Sequence, residues 1–270
     1  MVRIAVTGYK GRLGSALIKH GCLPFEADIT NSSQIEKELF NLNPKVVINC
    51  AAKTDVDVCE DDIINTYRVN TFGVQNLIRG FTGKFVQIST DYIFNGEVGN
   101  YSENSIASPI NSYGFSKHFA EVVLRNTNNH LIIRTTVLYG GNNNRKSDFP
   151  TSIYNKISNG IPVSCSEING NPTYSDHLAI GILDAIEKNC SGILNISGID
   201  NVSRYEVGIR MCDLFSLDRS LIQHGDAFGI AKRPKKAGFN LDKAKSLGIP
   251  LRTLEDGLKE WHKNKYGDHD

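Results

Sequence analysis

Three glycines spaced three residues apart follow the first apolar run of the chain. Residues 2–6, VRIAV, have the length and composition of a buried parallel strand, and TGYKGRLG comes directly after them. In such a strand–turn–helix unit Gly8 permits a tight turn, Gly11 lets the backbone approach a pyrophosphate, and Gly14 allows the helix to pack closely on the strand. The first turn of the helix then offers free N–H groups to that anion. The loop therefore predicts a dinucleotide-binding unit in an α/β fold.

Strand and helix patterns alternate along the chain up to about residue 140. Apolar runs at 45–51, 84–89 and 130–139 indicate buried strands, and helical spacing occurs between them. This alternation requires crossover connections and a parallel sheet with helices on both faces. The pattern loosens after residue 140, although 192–197 indicates one more buried strand. We predict a Rossmann-type, doubly wound parallel sheet with a smaller, mostly helical C-terminal part.

The predicted division of the chain follows from this change of pattern. Residues 1–140, together with about 175–200, are assigned to a dinucleotide-binding domain. Residues 141–174 and 201–270 are assigned to a substrate-binding part.

Composition excludes several classes of protein. The 270 residues carry 30 basic and 29 acidic side chains, so nucleic acid is not an expected partner. The densest basic cluster, KRPKK at 232–236, is either a solvated loop or a site for a phosphate-bearing ligand. No apolar segment approaches membrane-spanning length, and no signal-peptide pattern is present. The six cysteines show no metal-ligand spacing and fit a reducing compartment, so we expect a cytoplasmic protein without a metal or a membrane partner.

One tyrosine–lysine pair has the spacing of a proton donor and its electrostatic partner. Tyr113 and Lys117, in YGFSK, are four residues apart and would lie on one helix face. A phenol with a pKa near 10 is a poor proton relay at neutral pH, and an ammonium one turn away would lower that pKa. Thr90, at the end of a predicted strand, could hydrogen-bond the same substrate oxygen. The three residues predict ketone reduction, which needs a hydride on carbon and a proton on oxygen.

The motifs TGYKGRLG, NCAAKTDVDVCE, ISTDYIF and YGFSK occur in that order along the chain. With them the chain resembles an extended short-chain dehydrogenase/reductase, and more narrowly the dTDP-4-dehydrorhamnose reductase family, which makes dTDP-L-rhamnose. The resemblance implies a nucleotide-sugar substrate and assigns the family's catalytic set to Thr90, Tyr113 and Lys117. It also implies a set of cofactor contacts. These are Gly8, Lys10, Gly11, Arg12, Leu13, Gly14, Asp28, Ile29, Ala51, Ala52, Thr54, Tyr113 and Lys117.

Within that set, the resemblance places Ala51, Ala52 and Thr54 along the cofactor ribose. Asp28 and Ile29 match the pair that flanks the adenine in relatives.

The resemblance places Asp91 and Tyr92 beside the sugar. Where relatives often carry Thr-Ser-Trp, with the tryptophan near the sugar, this chain has Thr135-Thr136-Val137. Val137 is therefore the third candidate for a substrate contact. Glutamates that hold Mg²⁺ at a dimer interface in some relatives have no clear match, and a homodimer is left open.

The choice of cofactor depends on charges near the glycine loop. Lys10 and Arg12 flank Gly11, and two cations suit the 2′-phosphate of NADP, although solvated surface side chains would look the same. Glu26 and Asp28 compete for the acidic position that would favour NAD. We expect NADPH as the preferred cofactor, with NADH usable.

Three alternative functions share parts of this pattern. Nucleotide-sugar dehydratases read Thr-Asp-Glu where this chain has Thr90-Asp91-Tyr92, which argues against elimination of water. A nucleotide-sugar 4-epimerase uses the same threonine, tyrosine and lysine and stays open. The chain also resembles the regulatory β subunit of methionine adenosyltransferase, which is not catalytic and reads Ser-Asn-Tyr at the same three positions.

Overall fold

The computed structural model describes residues 2–125, 127–141, 148–226 and 229–267. In chain order the strands are β1 (Ile4–Thr7), β2 (Leu23–Pro24), β3 (Val46–Asn49), β4 (Lys84–Thr90), β5 (His130–Thr135), β6 (Leu138–Tyr139), β7 (Val163–Cys165), β8 (Asn169–Gly170), β9 (Thr173–Tyr174), β10 (Gly192–Asn195), β11 (Val202–Ser203) and β12 (Ile222–His224). The α-helices are α1 (Arg12–Lys19), α2 (Ser32–Leu42), α3 (Val56–Asp61), α4 (Ile63–Tyr67), α5 (Gly73–Arg79), α6 (Ser112–Arg125), α7 (Phe149–Ser158), α8 (Ser175–Glu187), α9 (Arg204–Phe215), α10 (Asp242–Ser246) and α11 (Leu254–Tyr266).

Six strands form the central sheet in the order β10-β5-β4-β3-β1-β2, and each neighbouring pair is parallel. The chain moves outward from β1 to β2 and then crosses to the other side of β1 to form β3. The strand order therefore reverses between β1 and β3. Open α/β sheets bind their ligands at such a point, beyond the carboxyl ends of the strands.

Apolar side chains cover both faces of this sheet. Successive side chains of a strand point to opposite faces, so an apolar run buries both. On one face Val6, Ile48 and Val86 pack in a core cluster with α1 and α8 residues. Their neighbours Ala5, Val47 and Phe85 pack on the other face with residues of α2, α5 and α6. The Rossmann-type doubly wound sheet predicted from the sequence is confirmed.

The C-terminal part has a core of its own. Residues of α7, α9 and α11, including Ile153, Met211 and Trp261, pack together with β7 and β12. The strand expected at 192–197 is β10, which returns to the central sheet beside β5. The division of the chain into two domains stays a prediction. Within the described ranges no helix is both long and apolar enough to cross a membrane.

Two predicted elements are interrupted. The sequence predicts one helix at 64–81 between the strands at 45–51 and 84–89, and the structure has α4, a π-helical turn at Arg68–Phe72, and α5 there. The apolar run at 130–139 consists of β5 and β6, and Val137 separates them with a φ of 45°. The polar loop at 140–150 lies mostly outside the described residues.

Candidate active site

A cleft of about 470 Å³ opens at the carboxyl ends of β1, β3, β4 and β5. Most of the predicted site residues meet there, although the sequence spreads them over 130 positions. Those that line the cleft are Gly8, Gly11, Arg12, Leu13, Gly14, Ala52, Thr54, Thr90, Asp91, Tyr92, Tyr113, Lys117 and Val137. Lys10, Asp28, Ile29 and Ala51 do not line it. Asp28 accepts two hydrogen bonds from Thr30, and Ile29 is buried in a core cluster.

The glycine loop lies against the backbone that follows β3. Gly8 has a φ of 61°, in the left-handed region, and a Cβ there would come within 2.7 Å of the Ala51 nitrogen. The Gly11 N–H donates to the Gly8 carbonyl at 2.8 Å and closes the turn. Helix α1 begins next and has no side-chain cap, so its first N–H groups are available to an anion.

A series of hydrogen bonds between buried polar side chains lies next to this loop. The Thr7 hydroxyl donates to Asn49 Oδ1 at 2.5 Å and accepts the Ala51 N–H at 3.2 Å. Asn49 Nδ2 in turn donates to Gln87 Oε1 at 2.9 Å. These hydrogen bonds connect three neighbouring strands: Thr7 and Asn49 are the last residues of β1 and β3, and Gln87 lies in the middle of β4.

Helix α6 carries Tyr113 and Lys117 on the side that faces the cleft. A Cβ at Gly114 would clash with the Tyr92 carbonyl oxygen, so the glycine permits α6 to lie directly against the backbone that follows β4. The rings of Tyr92 and Tyr113 meet edge to face with centroids 5.7 Å apart. Tyr113 and Thr90 line the same cleft, and the Thr90 side chain acts to lower the pKa of the phenol.

Burial controls the ionisation of both helix residues. It raises the pKa of Tyr113 above its usual value, and the hydrogen bond with Thr90 lowers it by less. Burial also lowers the pKa of Lys117 to about 8, although Cys50 and Glu121 act to raise it. The sequence led us to expect that Lys117 would lower the pKa of Tyr113, whereas the burial of the phenol dominates. Tyr113 is therefore protonated at neutral pH.

Asp91 is a buried carboxyl group beside these residues and is 3% exposed. Burial raises its pKa to about 6, although hydrogen bonds from Thr136 and Thr90 act in the opposite direction. Thr136 Oγ1 donates to Oδ2 at 2.6 Å, and Thr90 Oγ1 donates to Oδ1 at 3.1 Å. The Thr90 hydroxyl therefore donates to the Asp91 carboxylate, and it also accepts the Tyr92 N–H at 3.3 Å.

Val137 occupies a strained position on the cleft wall. A β-branched residue at positive φ is uncommon, and such backbone strain is of order 1–3 kcal/mol. The Val137 carbonyl accepts the Thr173 N–H at 3.1 Å. A Cβ at Gly170 would lie 2.7 Å from Val137 Cγ2, so the glycine leaves room for this side chain. The role of Val137 toward a substrate stays a prediction.

Several cleft residues were not identified from the sequence. Cys50, Val56 and Ser89 line the cleft, as does Arg204, the first residue of α9. Arg204 stands in SRYEV, and its place at the start of an amphipathic helix gave no sign of a contact with the sheet. The Arg204 charge acts on the pKa of Tyr92, so a cation lies near the predicted sugar contacts.

A buried ion pair holds α6 against the sheet. Arg134 of β5 donates from Nε and Nη2 to the two carboxylate oxygens of Glu121, at 3.0 and 2.8 Å. The Ser89 hydroxyl donates to Glu121 Oε1 at 2.6 Å. Glu121 lies one turn beyond Lys117, so these contacts connect the helix to β4 and β5, two of the strands that end at the cleft.

Comparison with known proteins decides the family. A model of the RmlD substrate binding domain matches residues 2–266. The chain belongs to this family. The dTDP-4-dehydrorhamnose reductase of Aggregatibacter actinomycetemcomitans is 32% identical over 96% of this chain and 98% of its own length. The resemblance indicated by the sequence motifs is confirmed.

Two further matches bear on function within the RmlD family. The structure of dTDP-4-dehydrorhamnose reductase from Bacillus anthracis strain Ames, in complex with NADP, has a TM-score of 0.91 and 27% identity, covering 98% of this chain and all of that one. The β subunit of mouse methionine adenosyltransferase 2 is 29% identical over 96% of this chain and 86% of its own length. The chain is therefore similar along most of its length both to a reductase and to a methionine adenosyltransferase subunit.

Proposed function

We propose that the chain is an NAD(P)-dependent reductase of the 4-keto group of a nucleotide-linked deoxysugar, with dTDP-4-dehydro-L-rhamnose as substrate and dTDP-L-rhamnose as product. One observation carries this proposal: Tyr113 lines the same cleft as Thr90 and the glycine loop, and burial raises the pKa of its phenol. A phenol held in its protonated form is suited to give a proton to a developing alkoxide. Similarity to two dTDP-4-dehydrorhamnose reductases supports the same substrate.

The residues of the cleft fit a nicotinamide dinucleotide. The glycine loop leaves space beside the uncapped start of α1, which suits a pyrophosphate. Thr135 Oγ1 lines the cleft and is buried without a hydrogen-bond partner among the described residues, so it can accept or donate to a bound ligand. Ala52 and Thr54 would contact the ribose, and Lys117 would hold the nicotinamide ribose. The nicotinamide, when bound, supplies the hydride.

NADPH is the proposed preference, and NADH is also usable. Arg12 lines the cleft, and Lys10 places its ammonium 5.2 Å from the ring centroid of Tyr9 in the same loop. Either cation could attract the 2′-phosphate of NADPH, which carries about two negative charges.

The chain's own residues account for proton transfer and orientation. Tyr113 donates its hydroxyl proton to the substrate oxygen as the carbonyl becomes an alcohol. In the structure the Thr90 hydroxyl donates to Asp91, and it binds the substrate oxygen when it turns this hydrogen away from the carboxylate. Lys117, whose pKa burial lowers to about 8, lies one turn away and favours the phenolate that Tyr113 leaves behind. Thr90 would thus orient the carbonyl by a hydrogen bond, and Tyr113 transfers the proton.

The test is a turnover assay on a panel of 4-keto-6-deoxy nucleotide sugars with NADPH and with NADH. Stoichiometric oxidation of free NADPH, with an alcohol as product, supports the reductase. Interconversion of 4-epimers without net oxidation would identify an epimerase instead. No turnover, together with stable binding to a methionine adenosyltransferase catalytic subunit, would identify a regulatory subunit.

A further inference from the structure

Glu60 of α3 holds the first residue of the Tyr113 helix. The Ser112 backbone N–H donates to Glu60 Oε1 at 2.7 Å, and the Ser112 hydroxyl donates to Oε2 at 2.8 Å. Ser112 is the residue directly before Tyr113 and lies 52 positions from Glu60 in the sequence. Hydrogen bonds to a carboxylate are stronger than neutral ones, and a negative charge at a helix N-terminus is favourable. Glu60 therefore restrains the backbone from which Tyr113 projects.

Helix α3 is itself hydrogen-bonded to residues 231–233, which are distant in sequence. Asp57, on the same helix, accepts the Ala231 N–H at 3.0 Å and pairs with Arg233 Nη2 at 2.6 Å. Burial of this pair is partial, and the hydrogen bond from Arg233 lowers the pKa of Asp57. A six-residue helix is weak by itself, so these contacts are what give Glu60 a fixed position.

Asn111 connects the same segment to the Tyr113 helix. Its Oδ1 accepts the Gly114 N–H at 2.7 Å and caps α6, and its Nδ2 donates to the Lys232 carbonyl at 2.8 Å. Helix α3, the start of α6 and residues 231–233 therefore form a closed ring of hydrogen bonds. Two of the N–H groups that a helix start leaves without partners, those of Ser112 and Gly114, are satisfied from this ring.

We propose that Glu60 is a positioning residue for Tyr113. It acts through Ser112 to hold the phenol at its distance from Thr90 and from the substrate oxygen. The inference rests on the proposed role of Tyr113 as proton donor. Without Glu60 the first turn of α6 can fray, and the hydroxyl of Tyr113 loses its fixed position while the rest of the cleft stays formed.

The first experiment compares three variants at two positions of α3. Glu60→Ala removes both contacts, and we expect kcat to fall by roughly tenfold to a hundredfold, the effect of misplacing a catalytic group by about 1 Å. The KM for the 4-keto sugar and the NADPH dissociation constant should change by less than about threefold, because Glu60 does not line the cleft. Glu60→Gln can keep two hydrogen bonds to Ser112 and should restore most of kcat. Asp61→Ala removes an exposed charge from the same helix and should match the wild type.

The second experiment places Glu60→Ala in a Tyr113→Phe background. If Glu60 acts through Tyr113, the double variant should be no slower than Tyr113→Phe alone. Circular dichroism at the assay temperature checks that each variant is folded. If Glu60→Ala unfolds, Ser112→Ala, which removes only the hydroxyl contact to Glu60, replaces it in the cycle. A full additional loss in the double variant would overturn the inference, as would normal kcat in Glu60→Ala. If Tyr113→Phe itself kept normal turnover, the proposed function would fail first and the inference with it.

Discussion

Removal of Arg134 should destabilise the fold strongly. In Arg134→Met the aliphatic length is retained, but the carboxylate of Glu121 loses its bidentate partner. The two side chains are 1% and 0% exposed, so water cannot replace the guanidinium. Removing one partner of a buried ion pair costs about 3–5 kcal/mol. The substitution also removes two further contacts. The guanidinium carbon lies 5.4 Å from the centre of the Phe94 ring, and the guanidinium donates to the Glu103 carbonyl.

The assay is urea unfolding followed by circular dichroism, with the free energy of unfolding extrapolated to water. A loss of about 3–5 kcal/mol is a large part of the roughly 5–15 kcal/mol that stabilises a typical domain. The double variant Arg134→Met/Glu121→Leu removes the buried charge together with its partner and should recover much of the loss. Recovery should be incomplete, because the Ser89 hydroxyl loses its acceptor at a cost of about 1–3 kcal/mol. A loss below about 1 kcal/mol in the single variant, or no recovery in the double, would refute this reasoning.

Three further predictions concern the cleft. Tyr113→Phe should lower turnover by roughly two to four orders of magnitude and leave NADPH binding nearly unchanged, as measured by steady-state kinetics and fluorescence titration. Asp91 has a folded pKa of about 6 against an ordinary 3.8, so the folded state binds more protons. The free energy of unfolding should fall as pH rises through that interval, and Asp91→Asn should flatten the dependence in denaturation curves. NADPH should be preferred over NADH by roughly three- to thirtyfold, and Arg12→Ala should weaken only NADPH; equal losses for both would contradict a 2′-phosphate contact.

The sequence alone determined the fold class and the glycine loop. Apolar runs such as 45–51 and 84–89 predict buried parallel strands because both faces of each strand need apolar cover. The requirement for glycine at Gly8 is in part local, since it follows from the sign of one backbone angle, and in part tertiary, since Ala51 leaves no room for a Cβ. The i, i+4 spacing of Tyr113 and Lys117 likewise places both on one helix face without any tertiary contact.

The tertiary structure decided the electrostatics of these same residues. Burial is a property of packing, and it raises the pKa of Tyr113 although the neighbouring lysine suggested the opposite direction. The positive φ of Val137 and the place of Arg204 in the cleft also depend on contacts between segments that are far apart in sequence. No local sequence pattern indicates either feature, because a valine beside a strand and an arginine at the start of a helix are ordinary residues in those places.

The hydrogen bonds around α3 show most directly why these contacts could not be predicted from the sequence alone. Glu60 and Ser112 are 52 residues apart, and Asn111 and Lys232 are 121 apart. VDVCED carries three carboxylates, and only the approach of α6 and residues 231–233 turns those of Asp57 and Glu60 into acceptors. The local sequence determines which backbone conformations are available. The partner of each buried or half-buried charge depends instead on which elements pack together around the sheet.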